Sequence, residues 1–221
     1  PSTAMEWQYE LAGGSPVTVY DSNCVLTGLT ANTPYTFRVR AICGVGDTGM
    51  WASYTFRTPC GYLALPYMED FEAETTGSSS TGSAFVNCWT RLNNGTSYGG
   101  YPYVGSSSTY NHTAGGGKGL YWYNTTTTGT YGDYLVAVLP PLDPTVAVDS
   151  LQLSFWAKAS STSYYPVFQI GVMTDPNNIA TFVGVDTVTV NSGTTWSHVE
   201  VPLTGYTGNG HYVAVKVDRA R

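Results

Sequence analysis

The chain has 221 residues, of which only 11% are charged, well under the roughly 25% of an average soluble protein. Fifteen acidic side chains against nine basic ones leave a formal charge of −6, and lysine occurs only at 118, 158 and 216. That shortage of cations argues against nucleic-acid binding and docking on anionic lipid, and no run of about 18 apolar residues exists to span a membrane as a helix.

Gly, Ser, Thr, Asn and 18 tyrosines stand where charge would be. Such a surface fits a secreted or cell-surface β protein. No signal peptide is visible. The opening "PSTAMEWQYEL" reads as mid-protein sequence, so the chain is expected to begin inside a longer molecule.

Almost nothing has helical periodicity. "MEWQYEL", "YTFRVRAI" and "YTFRTP" come first, then "YLVAVLP", "SLQLSFWAKA", "PVFQIGVMT", "TFVGVDTVTV", "SHVEVPL" and "YVAVKVD". Each is rich in β-branched or aromatic residues, several alternate apolar with polar, and Gly, Asn, Pro and Ser clusters separate them. The expectation is all-β, with strands spaced as in sandwiches and barrels. A composition shift across "FRTPCGYLALP" divides the chain into residues 1–60 and 61–221. Two Ser/Thr/Gly stretches, 75–83 and 105–118, read as flexible surface loops.

In the first block, Tyr35, Phe37, Val39 and Ala41 share one face of a strand, and Arg38 and Arg40 the other. Leu26, Leu29 and the turn "TANTP" precede it, which lets the Tyr35 hydroxyl bond back to the turn backbone. These residues resemble the E–F region of the fibronectin type III family, with "WQYEL" similar to its strand C and "WASYTFRTP" to its strand G. The resemblance implies a partial sandwich over residues 1–60 that lacks its first two strands, and a role as spacer or binder. "GVGDTG", Gly44–Gly49, matches GxGxxG. A strand rather than a helix follows it, so it reads as a strand-connecting loop rather than a dinucleotide site.

The four cysteines, Cys24, Cys43, Cys60 and Cys88, allow three pairings. None forms a CxxC pair, which disfavours zinc. Cys43 and Cys60 on neighbouring strands are the favoured pair, and Cys60 with Cys88 the second.

In the second block, "YMEDFE", "CWTR", "VLPPLD", "LSFWAKAS", "GVMTDP" and "GNGHYVAVKV" follow in an order that resembles the jelly-roll modules of large secreted Bacteroidetes proteins, the cleaved-adhesin and MAM-like domains. The resemblance implies a jelly-roll β-sandwich over 61–221. Its usual last acidic strand has no counterpart after "VKVDRAR".

Three chemistries bear on this block. Glu69, Asp70 and Glu72 are clustered oxygen donors of the kind that suits calcium, and the resemblance implies a structural calcium shared with the terminal acidic strand. The aromatic-rich span 98–134 offers rings for sugar C–H faces and amides for hydroxyls, with Tyr101, Tyr103, Tyr121, Trp122, Tyr123 and Asn124 as candidate ligand residues. Alternation through "GLYWYN" puts Tyr121 and Tyr123 on one face and Trp122 on the other, and one of these faces is core. No HExxH or GxSxG occurs, and no carboxylate pair stands out as glycosidase machinery.

The sequence therefore points to a non-catalytic adhesion or carbohydrate-binding module of a secreted or cell-surface protein. Its partner would be a glycan or a surface protein, and its only cofactor a structural calcium. A spacer, or an accessory module of a secreted glycosidase or peptidase, is the alternative.

Overall fold

A computed structural model describes residues 6–11, 13–94, 100–122, 134–160, 166–190, 193 and 195–218. Among them the regular structure is strand, with two single 3-10 turns at Val148–Ser150 and Ile179–Thr181. The chain divides into two compact units, Pro1–Gly61 and Tyr62–Arg221.

The first unit contains β1 (Glu6–Leu11), β2 (Val17–Val19), β3 (Pro34–Gly44), β4 (Asp47–Thr48) and β5 (Ala52–Arg57). They form one antiparallel sheet, with β1 between β2 and β3, and with β4 and β5 both pairing with β3. "GVGDTG" makes the turn from β3 into β4, with Gly46 at φ 79°.

Register places Trp7 opposite Ala41, Tyr9 opposite Val39, Leu11 opposite Phe37 and Tyr35 opposite Phe56. One face is therefore apolar, and Tyr9 stacks on Phe37 at 5.7 Å and Tyr35 on Phe56 at 6.0 Å. The other face carries Gln8, Glu10, Arg38 and Arg40, and the two guanidinium groups lie 5.2 and 4.6 Å from the Trp51 ring. The corner forms as the sequence implied: the Thr30 amide donates to the Tyr35 hydroxyl at 2.9 Å. Not one described residue of this unit is fully buried.

The second unit contains β6 (Thr90–Asn93), β7 (Tyr103–Ser106), β8 (Lys118–Tyr121), β9 (Tyr134–Val138), β10 (Gln152–Ala157), β11 (Val167–Met173), β12 (Val183–Thr189), β13 (Ser197–Pro202) and β14 (Tyr212–Asp218). A five-stranded antiparallel sheet runs β12-β11-β14-β9-β6, and β10–β13 and β7–β8 are separate antiparallel pairs.

The inward rows of β11 (Phe168, Ile170, Val172) and β14 (Val213, Val215, Val217) pack against Ala157 of β10 and Val199 and Val201 of β13. Leu153 and Phe155 of β10 join them half-buried. Val136, Val138, Met173 and Ala214 form a second cluster on the other face of the large sheet. β9 is covered on both faces, which is why "YLVAV" is apolar throughout rather than alternating. In β10 and β13 exposed and covered residues alternate, so each strand turns one row to solvent.

Two expectations change here. Cys24 and Cys43 are free thiols, so the favoured Cys43–Cys60 bond does not form, and Cys60 and Cys88 are each disulfide-bonded. Strand adjacency misled: Cys43 lies near the end of β3, whereas Cys60 lies past the end of β5, out of register with it. The Ser-rich stretch 75–83 is not a loose loop. The Arg91 guanidinium donates to the carbonyls of Ser78, Pro102, Ser80 and Ser83 at 2.9–3.0 Å, and it lies over the rings of Phe85 and Tyr101. Burial pushes this guanidinium below its ordinary value, a cost that the four carbonyls offset.

Candidate functional site

The residues nominated from the sequence do not form one exposed surface. Tyr101 lies under Arg91, with 4.9 Å between the ring centre and the guanidinium carbon. Tyr103 and Tyr121 face one another across β7–β8 and stack at 5.6 Å. The partner row there is emptied by Gly105, where an added Cβ would come within 2.8 Å of the Tyr121 ring. Trp122 is the core-facing member of its run, half-buried and edge-on to Phe168 at 6.1 Å. Tyr123 and Asn124 lie outside the described residues.

The three carboxylates disperse as well. Glu69 accepts from the Phe71 amide at 2.7 Å and from the Tyr67 hydroxyl at 3.2 Å, and Tyr67 in turn accepts from the Trp89 indole at 3.0 Å. Burial raises the Glu69 carboxyl above the usual carboxylate range. Asp70 accepts only locally, from the Glu72 amide. Glu72 caps the amides of Gly117 and Lys118 at 2.9–3.1 Å.

Lys118 then places its ammonium on the carbonyls of Glu72 and Glu74, at 2.9 and 2.8 Å. A protein cation already sits among the oxygens of this turn, and among the described residues no three His, Cys, Asp or Glu side chains converge on a metal position. The expected calcium set does not fit this arrangement.

A different cluster assembles on the outward face of β10 and β13. Trp156 and His198 are register partners there. Their rings stack at 4.7 Å, and His112, from the loop between β7 and β8, stacks on Trp156 at 4.1 Å with 13° between planes. Trp196 meets His112 edge-on at 5.4 Å. The Lys158 ammonium lies 5.3 Å from the Tyr110 ring centre and 6.0 Å from that of Trp196. Trp156 keeps 47% of its surface exposed and Tyr110 38%, and His112 and His198 are exposed.

The loop supplying Tyr110 and His112 is the second Ser/Gly stretch, and hydrogen bonds shape it. The Ser107 hydroxyl accepts from the amides of Thr109 and Tyr110, and the Asn111 side chain accepts from the Thr113 amide and donates to its carbonyl.

Beneath the cluster the strands are fixed by the buried row Ala157, Val199 and Val201. Rings, imidazole and indole N–H groups and one ammonium thus share a patch on a rigid support. By contrast, the cleft lined by Val146–Asp149, Tyr206 and His211 measures 270 Å³, below the range typical of small-molecule pockets.

The sequence held a signal for this cluster. Alternation through "SLQLSFWAKA" turns Gln152, Ser154, Trp156 and Lys158 outward, and through "WSHVEVPL" it turns Trp196, His198 and Glu200 outward. Two tryptophans in otherwise polar rows mark the face.

No family model and no curated protein matches the chain. Solved structures similar to it include the K1 cleaved adhesin domain of Lys-gingipain from Porphyromonas gingivalis W83, at 15% identity and TM-score 0.48, covering 69% of this chain and 87% of that one. The K2 cleaved adhesin domain of Lys-gingipain gives 14%, 0.49, 69% and 90%. Carbohydrate-binding modules of the β-sandwich superfamily, titled for promiscuous specificity, give 12%, 0.43, 97% and 78%. The two cleaved adhesin domains are of the kind that the strand order of the second block resembles. At such identities and scores the likeness transfers no ligand and no residue role.

Proposed function

We propose that this chain is a non-catalytic adhesion or carbohydrate-binding module of a large secreted or cell-surface bacterial protein, and that it binds through the outward face of β10 and β13. The observation that carries this reading is the aromatic and imidazole cluster around Trp156. Folded surfaces rarely gather large rings in one patch without a use for them, because each ring left in water forgoes about 25 cal/mol per Å² of apolar area.

A sugar presents C–H faces and hydroxyls. With His112 and His198 both stacked on Trp156, the cluster offers the ring surface that stays exposed on Trp156, Tyr110 and the imidazoles for the first, and N–H donors for the second. The support is rigid, so little ordering cost falls on the protein when a ligand binds.

The test is a glycan array followed by titration of the strongest hit. Trp156→Ala should weaken binding about tenfold or more, as expected for a central aromatic contact, with an unchanged melting temperature. Tyr101→Ala, away from the patch, should leave affinity within about twofold. Silence across plant, mucin and microbial glycans would sink the carbohydrate-binding reading and leave adhesion to a surface protein or a spacer role.

A further inference from the structure

We infer that the ligand of this face is a carboxylated sugar, such as a uronic or nonulosonic acid, with its carboxylate held by Lys158. The inference deepens the function proposed above and rests on it.

The other described cations of the second unit are already engaged. Arg91 is occupied by four carbonyls. Lys118 is occupied by the carbonyls of Glu72 and Glu74. Lys216 donates to the Gln169 side chain at 3.2 Å. Lys158 differs: among the described residues its ammonium meets only the Tyr110 and Trp196 rings, with no carboxylate, carbonyl or amide acceptor. Both ring distances are near the outer limit for a cation–π contact. An ammonium has three donors to place, and the Lys158 side chain is partly covered, so its donors turn to whatever lies on the outward face. An anionic oxygen completes the set with a charge-assisted bond.

Charge along the face gives the site a direction. On β10 and β13 the outward rungs run Ser154 with Glu200, Trp156 with His198, and then Lys158 beside Trp196. Glu200 is tied to Gln152 at 3.2 Å and sits two rungs from Lys158, beyond the Trp156 rung. A sugar lying on the central rings meets a negative group at one end and a positive one at the other, so its carboxylate points toward Lys158. His112 and His198 flank Trp156 between these ends, placed to donate N–H groups to ring hydroxyls.

Among the described residues the face carries one permanent cation rather than a row of them, which suits one carboxylate per sugar. A densely sulfated chain would need several cations to neutralise it.

The experiment titrates the whole chain with trigalacturonate and its methyl ester, with sialyllactose and lactose, and with a heparin tetrasaccharide. At least one acid should bind about tenfold or more tightly than its neutral counterpart, the scale of a single charged hydrogen bond. Lys158→Gln should bring the two within about twofold of each other, with an unchanged melting temperature reporting an intact fold. Lys158→Arg should preserve the preference.

Equal binding of acid and ester, or a preference that survives Lys158→Gln, overturns the inference. So does tighter binding of the heparin tetrasaccharide. Neutral sugars bound without preference, and lost in Trp156→Ala, leave the proposed function standing without its acidic ligand. Binding to no glycan removes both the acidic ligand and the carbohydrate-binding reading.

Discussion

The two units are built from the same material, antiparallel strands with alternating side chains, yet they are stabilised differently. In the first unit one face of the sheet is apolar, but no described residue is fully buried, and Tyr54 on that face is 69% exposed. Its cohesion comes from pairwise contacts: two ring stacks, two guanidinium groups on Trp51, and the Tyr35 corner. In the second unit a second layer covers the sheet, and Ile170, Val172 and Val201 have no exposed surface. Alternation makes a sheet, and the opposing layer turns it into a core. A surface row is rigid enough to recognise a ligand where its inward neighbours are locked in that way, as on β10 and β13.

The sharpest test of this contrast compares matched core and sheet truncations. Ile170→Ala should destabilise the second unit by about 3–4 kcal/mol, the cost of a buried truncation that leaves a cavity. Val39→Ala, on the open face, should cost about 1 kcal/mol or less. Chemical denaturation with a probe in each unit distinguishes the two outcomes, and equal costs would erase the distinction.

Next in size is Arg91→Ala, expected to cost about 2 kcal/mol because it removes the shared donor of four carbonyls, two of them part-buried. Arg91→Lys should recover only part of that, since a point charge cannot reproduce the guanidinium fork. Full recovery would mean that charge alone organises the loop.

The smallest effect concerns pH. The Glu69 carboxyl is raised by burial, so the native state holds its proton more tightly than the unfolded chain does. That contribution is fully present below the ordinary carboxylate value and is lost as pH rises through the folded one. Asp143 runs the other way. Its carboxyl is lowered by the Thr145 hydroxyl and amide, so its contribution is present above the ordinary value and is lost as pH falls. Melting temperatures of wild type minus Glu69→Gln isolate the first term. The difference should move against wild type as pH rises from about 3.5 to 6.5, with a total change within about 1 kcal/mol. A flat difference would show that Glu69 carries no burial cost.

The strands were legible in the sequence because alternation and β-branching act locally, and "YTFRVRAI" announced both its sheet and its corner. The site was half legible. Tyr101, Tyr103, Tyr121 and Trp122 drew attention because they are close in sequence, but proximity along a chain does not make a shared surface. Trp156, Trp196 and His112 come from three separate segments, and only the polar rows around the two tryptophans betrayed them. Arg91 and Lys118 gave no signal, since their partners are backbone carbonyls, which every residue possesses and no sequence displays. The cysteine pairing was hidden for a related reason. Cys60 and Cys88 both lie outside the strands, and Cys88 adopts a positive φ, so no strand register announces which cysteines are bonded.

Arg91 also bears on how this surface can change. It stands on β6, outside the stretch that it shapes, and what it grips at Ser78, Ser80 and Ser83 is main chain. The contour of that stretch is therefore specified largely at a distance; apart from the Ser78 and Ser83 hydroxyls, which accept from the amides of Ser80 and Ser78, its side chains are separable from the fold that displays them. Positions such as Ser80 and Thr81 can be rewritten, by drift or by design, while the scaffold beneath keeps its shape.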